Sequence, residues 1–134
     1  MGDRANFGFR DSKGNTLFLY GHWAGSEMFA QLANALDSAR SRWGDEGYAT
    51  RICVSQIVNQ DWNQPLSWGL YINQIGDNEH HVSIVDWKSQ TMGLYAFDWT
   101  WGDTKIRYLA DEPKFTMPLE EFVAKYQKVQ VSAP

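Results

Sequence analysis

One segment of the chain places His22, Trp23 and Ser26 where a predicted strand runs into a predicted helix. The backbone N–H groups of a first helical turn bind anions, an imidazole donates hydrogen bonds, and an indole stacks on flat rings. Gly21 and Gly25 would let a ligand approach the main chain closely. The segment therefore predicts a binding site for a planar anion. Alternatively, the glycines only make a tight turn and Trp23 caps the core.

A second polar segment holds two carboxylates, an amide and two imidazoles in a loop between two predicted strands. A histidine beside a carboxylate such as Asp77 can act as a general acid or base, and Asn78, Glu79 and His80 can bind a ligand through hydrogen bonds. Adjacent side chains of a strand point to opposite faces, so His80 and His81 are poorly placed to bind one metal ion. The alternative is a solvated turn, since Asp77 and Asn78 are common turn residues.

Arg51 lies in an otherwise apolar segment, three residues after Tyr48. A guanidinium at the edge of an apolar region pairs with a carboxylate or a phosphate. The pattern indicates either a phosphate contact, with Tyr48 as a stacking ring, or a structural ion pair with Asp45 or Glu46.

Two further aromatic residues, Trp99 and Trp101, lie in a predicted loop. Tryptophan is common among the residues that anchor interfaces, and it is seldom left wholly in water. Trp99 and Trp101 therefore either form a lid or an oligomer contact, or they pack on the sheet.

The elements that must position these residues follow from hydrophobic periodicity. Alternation predicts strands at 4–10, 16–22, 67–73, 81–87 and 91–97, and a further one at 105–109. Helical spacing predicts helices over 26–43, over 48–59 and from Pro118 onward. In the second of these helices, β-branched residues leave a strand as the alternative.

This order of elements is dominated by hairpins. It predicts an α+β fold in which a mostly antiparallel sheet has about three helices packed on one face, as a two-layer sandwich. We expect a single domain over residues 1–130, followed by a flexible tail at 131–134.

The composition argues against several classes of protein. The 134 residues include 12 Lys and Arg against 16 Asp and Glu, a formal net charge of -4, whereas proteins that coat DNA or RNA need a basic surface. No run approaches the roughly 20 apolar residues of a spanning helix, and the charged N-terminus lacks the apolar core of a secretory signal. The single cysteine, Cys53, excludes an internal disulfide and has apolar neighbours typical of a core residue. We expect a soluble intracellular protein with no metal and no organic cofactor.

Several short motifs occur in a fixed order, namely MGDRAN at 1–6, HWAG at 22–25, YATRI at 48–52 and DNEH at 77–80. With this spacing the chain resembles, over residues 1–88, a family of small uncharacterised proteins carried by bacteriophages and bacterial mobile elements. The resemblance implies no activity, but it implies a phage or plasmid origin and expression in the cytoplasm of a bacterial host. Each motif lies at a loop or strand end, where binding pockets are commonly built.

Stacking rings, an arginine and a helix start favour a binding protein that sequesters a nucleotide-derived signal of host antiphage defence. Trp23 and Tyr48 would stack on a base, while His22, Arg51 and the helix start near Ser26 would hold phosphates. The full set of predicted ligand-binding residues is His22, Trp23, Gly25, Ser26, Tyr48, Arg51, Asn78, Glu79 and His80. This hypothesis requires Trp23 and Arg51 to line one cavity.

Two alternatives stay open. The first is a small phosphodiesterase or nucleotide hydrolase, in which His22 or His80 is the general acid or base and Asp77 or Glu79 orients it. The second is a protein–protein inhibitor or a structural homo-oligomer that makes its contacts through the loop with two tryptophans.

Overall fold

The computed structural model describes residues 3–22, 24–59, 62–76, 80–96 and 112–127. The strands are β1 (Ala5–Arg10), β2 (Thr16–Gly21), β3 (Trp68–Ile72), β4 (Val82–Asp86), β5 (Thr91–Tyr95) and β6 (Phe115–Pro118). The α-helices are α1 (Met28–Ser38), α2 (Glu46–Ile57) and α3 (Leu119–Tyr126), and short 3-10 helices lie at Gly25–Glu27 and Arg40–Arg42.

The six strands form one sheet in the order β3-β2-β1-β4-β5-β6. All neighbouring pairs are antiparallel except β1 and β4, which are parallel. The predicted α+β fold with a mostly antiparallel sheet is confirmed. The parallel pair was not predicted. Because β3 pairs with β2, the other edge of β1 is left to β4.

The helices cover the sheet face that carries Phe7 and Phe9 of β1. These side chains are fully buried in one apolar cluster with Leu36 of α1, Cys53 of α2 and Phe122 of α3. Burial of such side chains is worth about 1.5–3 kcal/mol each, so this layer supplies most of the apolar stabilisation. The structure thus has the predicted two-layer arrangement.

The opposite sheet face carries a smaller apolar cluster of Phe18, Val82 and Ile84, on which Ile75 packs. Ile75 belongs to the connection from β3 to β4. The next residue of this connection, Gly76, donates its N–H to the buried Asn6 Oδ1 at 2.9 Å. This connection therefore covers part of the second face.

The first predicted helix is divided in the structure. A 3-10 turn precedes α1, a second one follows it, and Ser26 makes no side-chain cap of its own helix. The segment over 48–59 is helical rather than extended, and Pro118 ends β6 immediately before α3. The predicted strand at 105–109 and the tail at 131–134 lie outside the described residues.

Cys53 is fully buried on α2, as its apolar neighbours predicted. Burial disfavours the thiolate and raises the pKa of Cys53 to about 12. Among the helices that the structure describes, none has the length and apolar character needed to cross a membrane.

Candidate functional site

Asp3 is the centre of a polar cluster that joins three segments of the chain. Its Oδ1 lies 2.7 Å from His80 Nε2, and its Oδ2 accepts the Ser26 N–H at 2.6 Å and the Ser26 hydroxyl. Its main chain donates to the His22 carbonyl and accepts from the Gly25 N–H, both at 2.8 Å. These five residues, Asp3, His22, Gly25, Ser26 and His80, are called the Asp3 cluster below.

The topology of the sheet explains why residues so distant in sequence meet here. The parallel register pairs Phe7 of β1 with Ser83 of β4, so the residues that precede the two strands lie at the same end of the sheet. Antiparallel pairing of β1 with β2 brings the end of β2 to that same place, because Ala5 pairs with Gly21. The cluster therefore occupies the end of the sheet at which β1 and β4 begin.

Gly25 allows the close approach of His80 and Asp3. A Cβ at this position would overlap the His80 ring at Nε2 and Cδ2, and would also overlap Asp3 Oδ1. Glycine is required here by space, since no side chain fits between the 3-10 turn and the Asp3–His80 contact. The glycine that the sequence associated with close approach of a ligand is instead packed against the protein's own side chains.

The charge of Asp3 is stabilised by its partners. Hydrogen bonds from the Ser26 hydroxyl, from His80 and from the Ser26 N–H lower the pKa of Asp3 from 3.8 to about 2, while its partial desolvation acts in the opposite direction. Asp3 is therefore a carboxylate at neutral pH. Since a carboxylate only accepts hydrogen bonds, the proton in its contact with His80 is on Nε2.

We expect Asp3→Asn to flatten the dependence of stability on pH in the acid range. The pKa of Asp3 is lower in the folded chain than its ordinary value of 3.8, so its contribution is complete above about pH 4 and is lost as the pH falls to about 2. Urea unfolding of wild type and Asp3→Asn between these pH values measures the difference. Ser26→Ala removes the largest cause of the shift and should give an intermediate slope. Equal slopes for wild type and Asp3→Asn would contradict the assignment.

An aromatic row leads from the second sheet face into the cluster. The Tyr20 hydroxyl and His22 Nδ1 share a hydrogen bond of 2.9 Å, and the Tyr20 ring meets the Tyr71 ring edge to face at 6.5 Å. Gly76 lies against both tyrosines, and a Cβ there would come within 2.8 Å of Tyr71 Cε2. The row is half-buried, so it offers ring surface next to polar groups.

The imidazoles of His80 and His22 are each oriented by a second group, His80 by the Asp3 carboxylate and His22 by the Tyr20 hydroxyl, while His22 contacts Asp3 through its main-chain carbonyl. A hydrogen bond to one ring nitrogen fixes the tautomer and the orientation of the ring. In neutral His80 the basic lone pair is consequently on Nδ1. Such an arrangement can bind polar ligand groups and can transfer a proton.

Ser26 does not present an open anion site. The Asp3 carboxylate already accepts both its N–H and its hydroxyl, in the position where a phosphate on the helix start was expected. The sequence analysis did not select Asp3. This residue lies more than twenty positions before Ser26, and no local pattern links the two. Its place in the first motif, directly before an apolar strand, was the available signal.

Tyr48 and Arg51 do not join the cluster. Both are exposed on α2, and the Arg42 guanidinium lies over the Tyr48 ring at 5.6 Å. The helix starts beside the turn between β1 and β2, where Glu46 accepts the Ser12 N–H at 2.9 Å. That turn follows the end of β1, whereas Asp3 precedes its beginning. A strand of six residues spans about 20 Å, so the two groups lie near opposite ends of the sheet.

Six other residues named in the sequence analysis lie outside the described residues, namely Trp23, Asp77, Asn78, Glu79, Trp99 and Trp101. Whether Trp23 lines the Asp3 cluster therefore stays a prediction. Within the described ranges, no group of three or more His, Cys, Asp or Glu side chains is placed to hold a metal ion.

Comparison with known proteins assigns no family to this arrangement. Neither a protein-family model, nor a curated protein, nor a solved structure matches the chain.

Proposed function

We propose that the Asp3 cluster binds a small nucleotide-like ligand. The observation that supports this is the convergence of four predicted binding residues on Asp3 at the end of the sheet. Ser26 and His80 bind its carboxylate, and His22 and Gly25 bind its main chain. The sequence analysis selected them from separate segments for their chemistry, without knowledge of the parallel strand pair. Core packing alone does not require two oriented imidazoles at such a place.

The proposed recognition uses rings and hydrogen bonds more than fixed positive charge. The half-buried rings of Tyr20 and Tyr71 would stack against a base, which contributes about 1–3 kcal/mol per base in proteins that bind single strands. His22 and His80 would bind ribose hydroxyls or phosphate oxygens. Arg51 has no part in this version of the site, because it lies on α2 near the other end of the sheet.

The proposed biological role is that of a phage-type protein. In the cytoplasm of a bacterial host, it would sequester a nucleotide-derived signal of antiphage defence. Binding without turnover is sufficient for such a role. The proposed assembly is a homo-oligomer, with Trp99 and Trp101 as the contacts that the sequence favours.

The test is a calorimetric titration with cyclic dinucleotides and with NAD-derived cyclic nucleotides. The protein is first freed of co-purified small molecules by heat, and the released material is identified by mass spectrometry. At least one of these ligands should bind, and His80→Gln should weaken binding about 10-fold or more, as expected for the loss of a charge-assisted hydrogen bond network. No heat with any of these compounds, from ligand-free protein, would remove the proposal.

Arg51→Ala distinguishes the two candidate locations. A ligand at the Asp3 cluster should bind this variant and the wild type equally well. If Arg51→Ala abolishes binding while His80→Gln does not, the ligand lies on α2 and the Asp3 cluster is the wrong site.

The contact between Asp3 and His80 favours a second candidate function, a phosphodiesterase or nucleotide hydrolase. His80 would accept a proton from a water molecule that attacks phosphorus, the P–O bond to the leaving oxygen would break, and His22 would protonate that oxygen. Asp3 would be the positioning residue, in place of Asp77 or Glu79. General acid–base catalysis typically contributes 10²–10⁴-fold, so His80→Gln should lower the rate by about that factor. Intact ligand recovered after incubation with wild-type protein would exclude this alternative.

A further inference from the structure

Strand β3 is an exposed and unprotected edge of the sheet formed by the described strands. It pairs with β2 on one side and is the last strand in the order on the other. Its sequence, WGLYI, has no charge and no proline. Native proteins usually protect an edge strand with lysine, proline or a bulge, because its free backbone groups pair readily with another strand.

Two apolar side chains of β3 are also left uncovered, whereas Trp68 packs against the helix-side core. Leu70 and Ile72 lie on the helix-covered face, since they pair with Leu19 and Leu17, yet 60% and 72% of their surfaces are exposed. Leu66, in the segment leading into β3, is 85% exposed. The helix-side core therefore reaches Trp68 of β3 but leaves Leu70 and Ile72 exposed.

The opposite edge of the sheet differs. Strand β6 follows Lys114 and ends at Pro118, so its edge carries the protection that β3 lacks. Of the two edge strands that the structure describes, β3 is therefore the one better suited to strand pairing, and it carries exposed apolar side chains.

We infer that β3 pairs with β3 of a second copy of this chain, in antiparallel orientation about a twofold axis. A twofold axis at Leu70 keeps all five residues of the strand in register. It sets Leu70 opposite its own copy and Trp68 opposite Ile72, so that the helix-facing side chains of the two edges meet. The pairing is self-complementary, as a twofold interface must be.

Charge favours a second copy over a charged partner. Strand β3 carries no charged residue, so its pairing with a second copy sets no like charges opposite each other, although each copy has a net charge of -4. An acidic or basic partner would meet no complementary charge along this strand.

The available area is also suitable. Besides Leu70 and Ile72 on the strand, the connecting segment before β3 exposes Leu66 and Trp62, the latter by 72%. A standard interface buries about 800 Å² on each partner. The strand backbone and the side chains that flank it on the second face would supply further area.

Analytical ultracentrifugation of the full chain tests the inference. The wild type should sediment as a dimer, and Leu70→Lys should raise the dimer dissociation constant about 100-fold or more, because it places two like charges opposite each other. Thr116→Lys, at an exposed position on the other edge strand, should leave the dimer unchanged. A wild type that remains monomeric up to about 1 mM protein would overturn the inference. A dimer that Leu70→Lys does not weaken would also overturn it.

A cross-linking experiment tests the register. Cross-strand neighbours have Cβ atoms about 4.5–5.5 Å apart, close to the separation that a disulfide spans. Leu70→Cys should therefore form a disulfide-linked dimer on mild oxidation, whereas Thr116→Cys should not. The native Cys53 is fully buried and does not interfere. Failure of Leu70→Cys to cross-link, in a protein that sediments as a dimer, would reject this register.

Discussion

Phe122→Ala is expected to lower the free energy of unfolding by about 3–5 kcal/mol, the range found when a buried phenylalanine is truncated. The ring is fully buried, and its centroid lies 5.8 Å from that of Phe29 and 4.9 Å from that of Tyr126. It anchors the short helix α3 against α1. Because α3 has only eight residues, its stability comes from this packing rather than from helix propensity.

Chemical denaturation followed by tryptophan fluorescence measures this loss. Glu121→Ala is the matched control, since Glu121 is exposed on the same helix and its removal should change stability by no more than about 0.5 kcal/mol. If Phe122→Ala costs less than about 1 kcal/mol, α3 does not pack on the core as described.

Gly25→Ala is expected to separate His80 from Asp3 and to destabilise the protein by about 1–3 kcal/mol, the cost of leaving partly buried hydrogen-bonding groups unpaired. The added methyl group would occupy the space of the His80 ring nitrogen and of the Asp3 carboxylate oxygen. Both are side-chain atoms that can move aside, so the chain should still fold. The variant should therefore disrupt the geometry of the cluster while the rest of the fold stays intact.

Nitrogen-15 NMR of the histidine rings detects the change directly. In the wild type, neutral His80 should carry its proton on Nε2, whereas in Gly25→Ala the two tautomers should interconvert. Gly47→Ala is the control, because nothing lies within 4 Å of a Cβ at this position of α2. It should leave the His80 signal unchanged and alter stability by no more than about 1 kcal/mol, because Gly47 lies in the first turn of the helix. An unchanged His80 signal in Gly25→Ala would contradict the close contact.

The sequence predicted the elements well where periodicity is strong and local. The hairpin of β1 and β2, the helical segments α1 and α2, and the two-layer arrangement all follow from the alternation or helical spacing of apolar residues. It failed to predict β6, which has only four residues, and the parallel pairing of β1 with β4. Strand order depends on competition among edges of the sheet, which local patterns do not encode.

In the candidate site, too, local motifs predicted some residues, whereas others depend on the strand order. His22, Gly25, Ser26 and His80 were selected because their chemistry is apparent in short motifs. Asp3 was missed, because its role depends on the parallel register that brings it to His80. Tyr48 and Arg51 were selected for residue type and for the apolar segment around Arg51, and their helix places them near the other end of the sheet. Residue types indicate candidate site residues, but the strand order determines which of those residues lie close together in the fold.

The parallel pairing of β1 with β4 also affects how the chain folds while the ribosome is synthesising it. Phe7 is synthesised 76 residues before its sheet partner Ser83. At about 5–20 residues per second, β1 waits roughly 4–15 s for β4 to be made. During that interval one side of the nascent first hairpin has no neighbour, which makes it a place where chaperones or other nascent chains can bind.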